Sequence, residues 1–85
     1  MVSLGATPHV VNPAKCREGL VRVLLRNADG QISTGSPMKI KNAVDACQQM
    51  DLAERVRGLS LPRAVLPVDS TPTEAKEAMK FLADA

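Results

Sequence analysis

The chain has 85 residues, 45% of them hydrophobic, and a formal net charge of +2. That is an ordinary balance for one globular domain, and it calls for neither a nucleic acid nor a membrane. Phe81 is the only aromatic side chain, so base stacking of the kind used by single-strand and RNA readers has almost nothing to work with, and the core has to come from Val, Leu, Ile, Met and Ala.

A domain this small buries only about 60–65% of the surface of its unfolded chain, which points to a stability of roughly 3–6 kcal/mol unless a partner adds buried area. No apolar run approaches the ~18 residues of a membrane span. Met1–Val11 lacks the basic and apolar regions of a secretory signal. The cytoplasm is therefore the expected compartment, with Cys16 and Cys47 as free thiols.

In chain order, the stretch from Met1 to Glu18 has little pattern and carries Pro8 and Pro13. Residues 1–9 are expected to form a flexible arm, with Val10 and Val11 at most a short edge strand. Gly19 to Arg26 is the clearest strand: Val21, Val23 and Leu25 share an apolar inward face, while Leu20, Arg22, Leu24 and Arg26 share a mixed outer one. Asn27–Gly30 is a turn, since Asn and Asp tolerate the left-handed region and Gly supplies positive φ. Gln31 to Thr34 returns as a shorter strand with Ile32 inward, which completes a hairpin.

Ser36-Pro37 reads as cap and first position of a helix. In that helix Ile40, Ala43, Val44 and Cys47 form one apolar stripe. Asp51 and Glu54 give a second start signal, so the expectation is a helix from Pro37 to about Met50, a break near Asp51, and a short helix ending at Gly58. Arg63 to Leu66 can form a short strand, which Pro62 and Pro67 push to an edge. Thr71-Pro72-Thr73-Glu74 is a capping box. It opens a last helix, running to about Ala83, with Ala75, Ala78, Met79 and Leu82 on one face.

The expected fold is thus α+β: one domain over 1–85, in the order (β)ββα(α)βα, whose small antiparallel sheet consists of the hairpin and one or two short edge strands. Two main helices are expected on one face of that sheet.

Chemistry-bearing patterns are sparse. Gly30 and Gly35 have the spacing of a phosphate-cradling loop, yet Ser36 and Pro37 follow where Lys and Ser/Thr are needed, and the preceding segment is a hairpin arm. A connector between hairpin and helix is the better reading. Lys39 near the helix start gives that end at most a generic anion contact. His9, Cys16 and Cys47 are too few and too scattered for a metal site. Cys16 and His9 lack an orienting third group for nucleophilic work, and Cys47 falls on an apolar stripe. Asp51, Glu54 and Glu74 have capping roles, which leaves no carboxylate pair for catalysis. No enzyme activity, cofactor or metal is expected.

Charge is uneven along the chain. Met1–Lys41 holds six basic and two acidic residues, a balance of +4, and Asn42–Ala85 holds five and seven, a balance of −2. Arg22 and Arg26 share a strand face with Leu20 and Leu24, and Lys15, Arg17 and Lys39 are candidates to lie near them. Apolar anchors rimmed by Arg suit a protein-binding surface. The leading expectation is therefore a non-enzymatic binding protein, a regulator, inhibitor or accessory factor, that docks another protein through Leu20, Arg22, Leu24, Arg26 and Lys39. The alternative is phosphate-backbone contact with a nucleic acid through the same basic half. A homodimer through an edge strand or a helix face is a further expectation.

Overall fold

The alternating segment identified in the sequence becomes the strand that organises the sheet. In the computed structural model, which describes residues 8–27, 29–56 and 61–84, the elements are β1 (His9–Val10), α1 (Pro13–Glu18), β2 (Leu20–Arg26), β3 (Ile32–Thr34), β4 (Met38–Lys39), α2 (Ile40–Val56), β5 (Arg63–Pro67) and α3 (Pro72–Asp84). The fold is α+β, with five strands in the order β1-β5-β2-β3 and β4 paired to β2. β2 is antiparallel to β3, β4 and β5, whereas β1 runs parallel to β5. The sheet is therefore mixed where a purely antiparallel one was expected.

β5 lies inside the sheet, between β1 and β2. The prolines do not force it to an edge because they bracket it: Pro62 precedes the strand and Pro67 is its last residue, so Arg63 to Leu66 keep their N–H groups for the ladders. Pro62 still takes part as an acceptor, its carbonyl bonding Arg26 N at 3.1 Å.

The Ser36-Pro37 signal also resolves differently. The register shifts by one between Leu24↔Thr34 and Leu20↔Lys39. The second hairpin arm thus continues past a one-residue bulge at Gly35–Pro37 and ends at Lys39. A bulge on an outer strand accommodates a proline that has no N–H to give, and α2 starts only at Ile40. It then runs unbroken through Asp51 to Val56. Extending a formed helix by one more hydrogen-bonded residue costs less than stopping and nucleating again, so the Asp51–Glu54 signal is overridden. The stop expected at Gly58 and most of the arm expected over residues 1–9 lie outside the described residues, although His9 belongs to β1.

α1 is absent from the sequence expectation, yet it has a local cause. Asn12 takes φ 50° and ψ 71°, and its Oδ1 accepts from Lys15 N at 3.3 Å. Asn is among the few residues that reach the left-handed region cheaply, and Pro13 follows at the first helical position. At the hairpin turn, Gly30 has φ +84°.

The main helices cover opposite faces of the sheet. Val21, Val23 and Val65 point to the side of α2 and pack with Cys16, Ala43 and Cys47. Leu24 and Ala64 point the other way, with Val11, Ala78 and Leu82, under α3. Alternation along β2 explains this: both of its faces carry a buried apolar side chain, so each needs a cover. Arg63, 3% exposed, projects to the α2 side, where its Nη1 donates to Cys47 O at 2.9 Å.

Candidate functional site

Two surface regions stand out, and the first, a polar seam, is structural. Thr71 and Glu74 form the expected reciprocal cap: Thr71 N donates to Glu74 Oε1 at 2.9 Å, and Glu74 N donates to Thr71 Oγ1 at 3.2 Å. The same carboxylate accepts from Asn12 Nδ2 at 2.7 Å and from Lys15 Nζ at 3.1 Å, and Lys15 also reaches Asp69 O at 3.0 Å. One glutamate thereby ties the start of α3 to α1. The hydrogen bond from Asn12, then those from Thr71 and Lys15, hold its pKa down at about 2. Further along α3, His9 Nε2 meets Glu77 Oε2 at 2.9 Å, and the His9 ring stacks on Phe81 with centroids 4.7 Å apart.

This seam yields a prediction. Glu74 is ionised more readily in the folded chain than in the unfolded one, so its contribution is complete above the ordinary carboxylate value of 4.5 and is lost as pH falls through about 2. Glu74→Gln should therefore flatten the acid limb of stability between those two values while leaving the neutral-to-alkaline limb parallel to wild type. Urea midpoints taken across the acid range check this, and an unchanged acid limb contradicts it.

The thiols and the histidine do not assemble a reactive centre. Cys16 Sγ donates to Val11 O at 3.1 Å on the α2 side of the sheet, whereas His9 faces α3. Burial pushes both thiols up, against the opposing pull of Lys15 at Cys16 and of Arg63 at Cys47, which disfavours the reactive thiolate. Among the described residues, no three of His, Cys, Asp or Glu are grouped to hold a metal ion, and no helix is long and apolar enough to cross a membrane. Gly30 and Gly35 occupy the hairpin turn and the bulge, and neither opens a helix.

The second region is the part of the α3 face that α3 leaves uncovered. At 100° per residue, Glu77 and Phe81 fall on one flank of α3 and Ala75, Met79 and Ala83 on the other. His9 of β1 holds the first flank, and Arg26 of β2 donates through Nη1 to Ala83 O at 3.2 Å on the second. The helix therefore lies over β1 and β5, and Met79, 46% exposed, falls on the flank of α3 turned toward β2. On the same face of the sheet, one row runs across β4, β2 and the residue after β5: Lys39 of β4 is opposite Leu20 of β2, and Val68 N donates to Leu20 O at 3.0 Å. Leu20 is 46% and Val68 42% exposed. Arg22, one step along the same face, is half-buried and donates through Nη1 to Gly35 O at 3.3 Å.

Of the five residues expected to bind a partner, Leu20, Arg22 and Lys39 are thus brought together on this open face. Leu24 is 7% exposed beneath α3, and Arg26 is engaged at the end of α3, because the face expected to be outer carries a helix over part of its length. Lys15, a candidate neighbour of the arginines, is held instead by Glu74 and Asp69. Val68 and Met79 were missed. Val68 follows a proline-bracketed strand, where alternation is hard to extend, and Met79 belongs to the apolar stripe of α3 but falls on its margin. No family model, no curated protein and no solved structure matches this chain.

Proposed function

We propose that this chain is a non-enzymatic binding protein whose open sheet face docks an acidic segment of another protein that carries apolar anchors. The observation behind this reading is the row of exposed Leu20 and Val68, with Lys39 at its end and Arg22 beside it. Exposed apolar groups adjoining cations match a partner with a hydrophobic anchor and nearby carboxylates. Such a module acts as a regulator, inhibitor or accessory factor, and its two buried free thiols favour a reducing compartment such as the cytoplasm. Contact with nucleic acid is a weaker reading, since Lys15 is withdrawn from Arg22 and Lys39 by its ion pair with Glu74.

The test pairs Leu20→Glu with Arg22→Glu. A partner captured by wild type should bind the double variant at least about tenfold more weakly, the scale of losing one anchor. Unchanged binding rejects the assigned face. Tight binding to random duplex or single-stranded DNA at low salt, weakening steeply as salt rises, would favour the nucleic-acid reading instead.

A further inference from the structure

The hairpin ends in a short sheet edge whose geometry is complementary to itself. β3 terminates the strand order. Its hydrogen-bonding phase follows from the bonds that flank it: Asn27 N to Gln31 O at 2.8 Å on one side and Gly35 N to Val23 O at 2.9 Å on the other. The bonded pairs with β2 are therefore Asn27–Gln31, Leu25–Ser33 and Val23–Gly35, and the pairs Arg26–Ile32 and Leu24–Thr34 between them are non-bonded. Hence the N–H and C=O groups of Ile32 and Thr34 point outward, away from β2. From Gln31 to Ser36 the edge carries no charged residue and no proline, two of the devices that keep an edge from pairing, and the bulge at Gly35–Pro37 lies beyond the straight stretch Ile32–Thr34.

We propose that a second copy of this chain pairs antiparallel along β3, about a two-fold axis through Ser33. In that register Ile32 of each copy is a bonded pair with Thr34 of the other, so all four outward groups on each chain find partners. Ser33 lies directly opposite its own counterpart as a non-bonded pair. Charge favours the same occupant. Asp29 lies in the exposed turn at one end of the hairpin arm and Lys39 at the other end, so antiparallel pairing turns the acidic end of each copy toward the basic end of its partner, and this occurs twice. Because the axis is perpendicular to the sheet, both open faces look the same way, and the two rows containing Leu20 line one surface between two α3 helices. The dimer goes beyond the docking reading and stands whether or not that reading holds.

Size exclusion with light scattering should give twice 9.1 kDa, falling toward 9.1 kDa on dilution. Thr34→Pro removes an outward N–H without touching the β2 ladder, and Ser33→Lys sets two ammonium groups face to face; each should yield a folded monomer by circular dichroism. Ser33→Cys should trap a disulfide-linked dimer with oxidised glutathione, since non-bonded pairs hold Cα atoms about 4.5 Å apart, within disulfide reach. Asp45→Cys, exposed on α2, should not. A wild-type mass of 9.1 kDa at every concentration, Ser33→Cys cross-linking no faster than Asp45→Cys, or a folded Ser33→Lys that remains dimeric would each overturn the proposal. If dimerisation fails while Leu20→Glu with Arg22→Glu still releases a captured partner, only the edge assignment falls.

Discussion

Leu82→Ala is expected to lower the unfolding free energy by about 2–4 kcal/mol. Leu82 is fully buried and is among the largest of the fully buried side chains. It packs with Val11, Leu24, Ala64 and Ala78, and two of those four neighbours are already alanines. α3 approaches the sheet closely at Ala64 and Ala78, so the backbones have little room to close over the space left behind, and the cavity cost adds to the lost transfer energy. A loss of this size is a large share of the roughly 3–6 kcal/mol expected of an 85-residue domain. Urea unfolding measures it directly, and a thermal midpoint falling by about 4–8 °C per kcal/mol provides a second readout. A loss below about 1 kcal/mol would mean that the α3 side can collapse around the gap.

The second large effect separates two residues of equal chemistry on one strand face. Leu24→Ala should cost about 2–3 kcal/mol, and Leu20→Ala no more than about 0.5 kcal/mol, because the cost of truncation follows burial. Leu24 is 7% exposed under α3, whereas Leu20 is 46% exposed four residues earlier. Functionally the order should reverse: Leu20→Ala weakens partner capture at nearly full stability, and Leu24→Ala impairs it only in proportion to the unfolded fraction. Equal denaturation midpoints for the two variants would contradict the placement of α3 over β5 and β1.

The sequence made some of this legible and concealed the rest for specific reasons. Period-two alternation from Leu20 to Arg26 located the central strand, Asn27–Gly30 the turn, and Thr71–Glu74 the cap of α3, because each signal acts through neighbours in the chain. Tertiary choices were less visible. Alternation assigns Leu24 to a face but does not reveal whether a helix covers it, and a second apolar layer on that side sends α3 opposite α2. Ser36-Pro37 satisfies a helix cap and an edge bulge equally well, and the ladder with Leu20 and Val21 selects the bulge. The Asn12-Pro13 start of α1 carried a signal that the two nearby prolines obscured. For the candidate site, Leu20 and Arg22 were found by strand phase and Lys39 only as a cation expected near a helix start, while Val68 and Met79 depend on where the margin of α3 falls over the sheet.

The position of β5 bears on how the chain reaches this arrangement. β1 and β2 never touch as strands; the ribbon between them is supplied by residues 63–67, after more than two thirds of the chain. A nascent polypeptide can close the β2–β3 hairpin early, since its loop is short, but it must wait for this late segment before either layer of apolar side chains can shut. Until then Val21, Val23 and Leu24 remain wet, and the unpaired flank of β2 stays open to other chains. The sheet is therefore complete only once β5 inserts between two strands that both precede it in the chain.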